Sequence, residues 1–402
     1  MHLVLVGAWP ELANRLVGLP ARVSLLQLGP DDREAGWVYR YVHVDYTDVA
    51  AAVEAATRIH SIDPVDVVVG VRHYALPALA AIASALDVRS VPGPVSSLGF
   101  DKASVREQLA ATATRPVRFR LCSDQDAVEV FARELGFQAV VKPPIGVAKA
   151  GVHVIDGPAD VPLAWRHASA AANGPVLVEE RLHGPEFSVE VRSVDGTHEV
   201  LAVTEKDCSG PPHFLELGHT VPARIDTSAL EIEAIRAVEA IGHRTGPSHV
   251  EFVFTDDGPA VTEINRRMGG DRIFELLVLA TGRDPMRETL LDALGEPHEH
   301  REIPRRGAAI RFLTAPFTGR APELPGDLAL PPEVVRVHYT PGAEIRPATT
   351  NDERIGYVIA VAENAEKAAH AAEIARAELL ERLVKVADPP PCPSPRTLPQ
   401  SG

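Results

Sequence analysis

The stretch Ser248–Arg272, SHVEFVFTDDGPAVTEINRRMGGDR, decides how the chain reads. Its β-branched and aromatic runs predict two strands, His249–Phe254 and Ala260–Ile264, joined by Thr255, Asp256, Asp257, Gly258 and Pro259. Alternation puts Glu251 on one face with His249 and Val253, and Glu263 on one face with Val261 and Asn265. Loop length then decides whether the two glutamates meet. A two-residue Asp-Gly turn pairs 251 with 264 and sends them to opposite sides, whereas a five-residue loop pairs 254 with 260, and so 251 with 263. Pro259 has no N–H to give a ladder, so the wider loop is expected. The two carboxylates then face each other at about 5 Å between Cβ atoms, a repulsive arrangement unless a cation lies between them. The oxygen donors of Glu251, Glu263 and Asn265 suit Mg²⁺, which keeps positions open for phosphate oxygens. Arg266 and Arg267 follow, and a guanidinium suits charge developing on a phosphoryl or acyl-phosphate group. An exposed hairpin with solvated glutamates has the same spacing, so these residues alone leave both readings open.

At 402 residues the chain exceeds one comfortable core, and two or three domains are expected. Hydrophobic content of 45% with 24% charged residues is ordinary for a globular protein. A net charge of −15 argues against a nucleic-acid partner, although a local Lys/Arg cluster can still hold a small anion such as ATP. Cys122, Cys208 and Cys392 lie far apart without metal spacing and fit a reducing cytoplasm. MHLVLVGAWPEL lacks a basic stretch before its short apolar run, so no signal peptide is expected, and no run is long enough to span a membrane.

In chain order, Leu3–Val6, Arg22–Leu28 and Val65–Gly70 read as strands, with helices Val49–Ile59 and Ala75–Leu86 between and after them. This alternation predicts an α/β unit with a parallel sheet over 1–92, closed by the Pro/Gly break at 91–94. Asp101–Ala113 is a helix whose Lys102 and Arg106 share a face that reads as solvated. A strand at Val117–Leu121 and a helix at Asp124–Leu135 follow, then a strand ending at Lys142, the loop PPIGVAKAG and the strand VHVI. Such a hairpin flap is able to cover phosphates with backbone N–H groups, with Lys142 at its base, or is an ordinary hairpin. Strand PVLVEE leads into Arg181 and Leu182; beyond the turn, Glu186, Ser188, Glu190 and Arg192 share a polar face that lines a cleft or meets solvent. Leu201–Lys206 is a strand, HFLELGHTVPA at 213–223 reads as loop, and Thr227–Thr245 and Asp271–Leu279 as helices. The last unit has strands at Ala308–Leu313, Val334–Tyr339 and Ile355–Val361 and a helix at Asn364–Leu383, before a Pro-rich tail expected to be disordered.

Taken in order, Lys102, Lys142 with its glycine loop, VEERLHGPEFSVE, SHVEFVF and TEINRRMGGD resemble the ATP-grasp superfamily over about residues 90–295. FLELGHTVPA, EINRRMGGD and AAIRFL…ERIGYVIAVAENAEKA resemble its L-amino-acid ligase (dipeptide synthetase) branch. The resemblance implies an α/β (α+β) ATP-grasp fold divided as 1–92, 93–175, 176–298 and 299–387, with the tail at 388–402. It implies that Lys102 and Lys142 contact ATP phosphates and that the loop with Gly146, Lys149 and Gly151 closes over them. Glu179, Glu180, Arg181 and Leu182 would form the adenine hinge, and Glu186 would take the ribose hydroxyls. Glu251, Glu263 and Asn265 would hold two Mg²⁺ ions (Mn²⁺ being an acceptable substitute), and Arg267 would stabilise the acyl phosphate. Glu216 and His219 match an E-x-x-H pair at the amino-acid pocket and are candidates for accepting a proton from the amine. GVAKAG departs from the small Ser/Gly-rich loop common in the family, so Lys149 adds a phosphate contact or slows closure. The implied activity is ATP-dependent joining of a small carboxylic acid to an amine through an acyl phosphate, with bicarbonate activation or a non-catalytic ATP-binding module as alternatives. Family precedent also admits a homodimer.

Overall fold

The computed structural model describes residues 1–387 apart from 10–11, 30–35, 94–100, 147–150, 212, 299–304 and 325–327. The expected tail at 388–402, Cys392 and Lys149 lie outside the described residues. Among those residues no helix is long and apolar enough to cross a membrane.

The N-terminal unit is a parallel sheet of β1 (His2–Val6), β2 (Arg22–Gln27), β3 (Arg40–His43), β4 (Val67–Gly70) and β5 (Arg89–Val91), ordered β3-β2-β1-β4-β5. The short strands β3 and β5 were not expected. Because β1 is buried throughout, it reads as an apolar run with no alternation. On one side Val4, Val6 and Val68 pack against the helices Val49–Ile62 and Leu76–Leu86. On the other, Leu3, Leu5 and Val69 meet Met286, Leu290 and Leu294 of the helix Pro285–Leu294, so a distant segment completes this core.

A second, antiparallel sheet is ordered β6-β9-β7-β8 from β6 (Phe119–Cys122), β7 (Ala139–Lys142), β8 (His153–Ile155) and β9 (Val176–Glu180). The helices Gln125–Glu134 and Val161–Ala172 supply its core through Val128, Phe131, Ala164 and Ala168.

The third sheet has eight strands, ordered β14-β13-β10-β11-β12-β15-β19-β17. They are β10 (Glu186–Val194), β11 (Thr197–Cys208), β12 (Glu216–Val221), β13 (Gly246–Thr255), β14 (Gly258–Asn265), β15 (Gly307–Leu313), β17 (Val334–Tyr339) and β19 (Gly356–Ala362); β16 (Gly319–Arg320) and β18 (Glu344–Ile345) pair separately. The helix Ser228–Ala240 lays Leu230, Ala234, Ala237 and Val238 against Phe187, Val189 and Phe252. Those positions recur at the three-to-four spacing of one helical face. The opposite face of β10 is not solvated, since Ser188 and Glu190 are buried. HFLELGHTVPA, expected as loop, contains the interior strand β12 between β11 and β15. Its polar residues face inward, which destroys the alternation by which strands are recognised.

Candidate active site

Glu251 sits opposite Glu263, for a different reason than expected. The connection is a two-residue turn, Asp256–Asp257, with Thr255 paired to Gly258 and Pro259 inside the ladder opposite Phe254. Gly258 has φ +107, a backbone conformation that L side chains rarely adopt. Pro259 is tolerated because β14 is the sheet's edge strand. Without interruption this turn would pair 251 with 262. A β-bulge between Glu251 and Phe252 leaves Thr262 unpaired and moves Glu263 into place. Arg106 holds the bulge by donating to the carbonyls of Val261 and Thr262.

That guanidinium overturns the expected solvated face of the helix Lys102–Ala110, because Arg106 is buried and pairs with Glu179. Glu179, on β9, also receives Lys142 from the end of the neighbouring β7, at 2.7 Å. Burial pushes the Glu179 carboxyl up, but Arg106 and Lys142 outweigh it and bring it to about 2. Burial lowers Lys142 despite its partner. Lys102 donates to the carbonyl of Gly146 at 2.7 Å and lies 3.7 Å from Glu263. Gly151 closes the flap at φ +73, where a Cβ would come within 2.7 Å of Ala171. Glu180, the last residue of β9, is tied to Arg115, and just past the strand Arg181 is tied to Asp156, while Leu182 is half-buried. His73, between β4 and the helix Leu76–Leu86, is lowered by burial and by Arg267 and Lys102, against the opposing influence of Glu263. No local pattern marks His73; only the fold brings the loop after β4 to this cleft.

At the other end, Lys206 lies 2.8 Å from Glu251 and 3.2 Å from Glu216 and is buried between them. Glu186 is its cross-strand neighbour. Burial lowers Lys206, but the two carboxylates carry it well above its ordinary value. Burial likewise raises Glu216 and Glu251, yet Lys206 and the neighbouring histidines hold both well below the usual carboxylate range. His249 joins Glu190 to Glu251, and against its burial these acids raise it to about 9. Asn265 is buried opposite His249. His219 is buried 3.3 Å from Glu216 and 3.9 Å from Asp271. Glu216, His219 and Asp271 each offer a ligand atom within 4.8 Å of the others, a group that spacing did not mark because Asp271 is remote in sequence. Arg354 donates to both oxygens of Asp271, at 2.7 and 2.9 Å, and to the Glu216 carbonyl. Asp271 and Arg272 adopt φ +48 and +63, so the expected helix starts later, at Ile273. Of the two adjacent arginines, Arg266 turns inward to His243, whereas Arg267 donates to the Met268 carbonyl and remains part-buried at the cleft.

The donor set fits Mg²⁺. Glu251 and Glu263 face each other, and ionised carboxylates have lone pairs beyond those given to Lys206, His249 and Lys102.

The family profile of the ATP-grasp domain matches residues 135–275, and that of L-amino acid ligase C-terminal domain 2 matches residues 311–383. The chain thus carries an ATP-grasp domain. Its ATP-grasp domain contains the flap, β9 and the glutamate hairpin, and its L-amino-acid-ligase-type C-terminal domain supplies Arg354. An L-amino acid ligase from Bacillus licheniformis has the same fold, with a TM-score of 0.78 at 23% identity over 95% of this chain and 97% of that one. An N5-carboxyaminoimidazole synthetase from Staphylococcus aureus gives a TM-score of 0.70 at 16% identity, covering 94% of this chain and 97% of its own. In sequence, an uncharacterized protein of Sinorhizobium fredii is 30% identical over 280 residues, 65% of this chain and 56% of that protein. The D-alanine–D-alanine ligase of Mycobacterium tuberculosis is 30% identical over 242 residues, 52% of this chain and 62% of that enzyme. The chain thus spans little more than half the length of these curated relatives.

Proposed function

We propose that this protein is an ATP-dependent carboxylate–amine ligase that activates a small acid, an amino acid being the best fit, as its acyl phosphate and joins it to an amine. The observation that carries the reading is the convergence of Lys102, from the helix after the N-terminal unit, on Glu263 of the hairpin and on the flap carbonyl of Gly146. Lys102 and Lys142 neutralise phosphate oxygens in a transition state where placement does most of the work. Glu251, Glu263 and Asn265 would hold Mg²⁺, which when bound neutralises phosphate charge. Because the Glu179 side chain is committed to Arg106 and Lys142, adenine recognition falls to the chain at 180–182, with Glu186 for the ribose. The flap, with Gly146, Lys149 and Gly151, excludes water that would hydrolyse the acyl phosphate. Arg267 binds the oxyanion formed when the amine attacks.

Glu216 gives one oxygen to Lys206 and the other to His219, which favour its ionised form, so it suits binding the ammonium of an amino acid. His219 is left as the candidate base. A cavity of about 510 Å³ bordered by Asp271, Arg354, Phe312 and Tyr357 has room for the side chain of such an acid. Homologous enzymes with amino-acid substrates support this reading over bicarbonate activation.

The test is to incubate the protein with ATP, Mg²⁺ and a panel of amino acids, with hydroxylamine as trapping amine. Acid-dependent hydroxamate with matching ADP is the expected result. ADP formation that responds to labelled bicarbonate and to no other acid would replace ligation by carboxylation. ATP binding without turnover under any pairing would leave a binding module.

A further inference from the structure

The cleft contains a buried acid that has no role in the reaction as described. Glu190, in the middle of β10, is 5% exposed and stands opposite His249 of β13. One carboxylate oxygen bonds to His249 Nδ1, and the other accepts the backbone N–H of Gly269 at 3.1 Å. His249 uses its second nitrogen on Glu251, 3.2 Å away. Gly269 belongs to the segment that carries Arg267, and it approaches so closely that a Cβ there would lie 2.9 Å from His249 Nδ1 and 3.0 Å from Glu190 Oε1. One side chain therefore touches both a histidine that orients a hairpin glutamate and the loop bearing the arginine.

We propose that Glu190 is a positioning residue that sets the hairpin carboxylate Glu251 and the Arg267 loop in register with each other, through His249 on one side and the Gly269 N–H on the other. The inference rests on the reading of Glu251 as a Mg²⁺ ligand. A carboxylate is suited to the task because both its oxygens accept, whereas a glutamine of the same shape offers one acceptor and one donor group. In Glu190→Gln either His249 or Gly269 loses its acceptor, and the two parts of the site become free to shift independently. Ligands oriented by outer hydrogen bonds typically lose about 10- to 100-fold in metal affinity when that support is removed.

ADP affinity is measured by calorimetry in excess Mg²⁺ and in EDTA, for the full-length wild-type protein, Glu190→Gln and Gly269→Ala, with circular dichroism to establish that each is folded. The readout is the ratio of the two Kd values, which a purely structural loss does not move. We expect the ratio to fall by about 10- to 100-fold in Glu190→Gln, and in the same direction in Gly269→Ala. Should Glu190→Gln fail to fold, Gly269→Ala, which keeps both side chains and forces a methyl group against their shared hydrogen bond, decides alone. A wild-type ratio in the folded variants overturns the positioning role while leaving the metal site standing. A wild-type protein whose ADP affinity ignores Mg²⁺ overturns the metal reading, and the positioning role with it.

Discussion

The two ends of the cleft are built from opposite surpluses of charge. At the flap end, Arg106, Lys142 and Lys102 meet Glu179 and Glu263. At the far end, Lys206, His249 and Arg354 meet Glu190, Glu216, Glu251 and Asp271. A net charge of −15 conceals this division, and it is the local sign that selects a ligand. The ends also differ in how they are held. Lys206, Glu216, Glu251 and Glu190 all stand on neighbouring strands of one hydrogen-bonded sheet. The basic residues come from a helix and a different sheet, and they reach the hairpin through the Lys102–Glu263 ion pair and the hydrogen bonds of Arg106 to two backbone carbonyls. The acidic end is therefore fixed by its ladder, while the basic end depends on its own charges.

The sharpest way to break the contrast is to remove the lysine from the acidic end. Lys206→Met leaves the part-buried Glu216 and Glu251 without their shared cation, and the expected loss is about 3–5 kcal/mol in chemical denaturation. A smaller loss would mean that the acids relax toward solvent. Next, Glu263→Gln removes the anion nearest Lys102 on a half-buried side chain, so the fold should survive while turnover falls at least about 100-fold. Full activity in that variant would remove Glu263 from the metal site.

Acid titration probes the basic end. Because Glu179 lies at about 2 in the folded protein and ordinarily titrates near 4.5, its stabilisation is complete above pH 4.5 and is lost as pH falls toward 2. The stability gap between wild type and Glu179→Gln should accordingly be widest near neutrality and shrink through that window. A gap independent of pH would show that the carboxylate's charge is not what holds Arg106 and Lys142. The smallest effect is expected from the exposed pair Arg133–Glu129, where Arg133→Ala should cost no more than about 0.5 kcal/mol.

Alternation within the hairpin was enough to place the glutamates on facing strands, but not to find the turn. A bulge adds a residue without any compositional sign, so Thr262 could not be told from its neighbours. Arg106 was misjudged because its partner Glu179 is 73 residues away, and a helix face carrying Arg reads as solvated unless that partner is known. Strand β12 was hidden by Glu216 and His219, the very residues that give the pocket its polarity. The local order of motifs thus carried the family and the parallel N-terminal sheet. The long-range partners Lys206, Glu190, Asp271, Arg354 and His73 became visible only when the strands were placed side by side.

The bulge has a practical consequence. Pairing is reset between the hairpin tip and the glutamates, and Thr255 lies about 13 Å along the strand from Glu251 at the usual rise per residue. Asp257 is exposed at the tip, so lengthening the chain there is expected to leave the carboxylates where they are. A fluorophore or affinity handle grafted between Asp256 and Asp257 would report on the cleft from its rim.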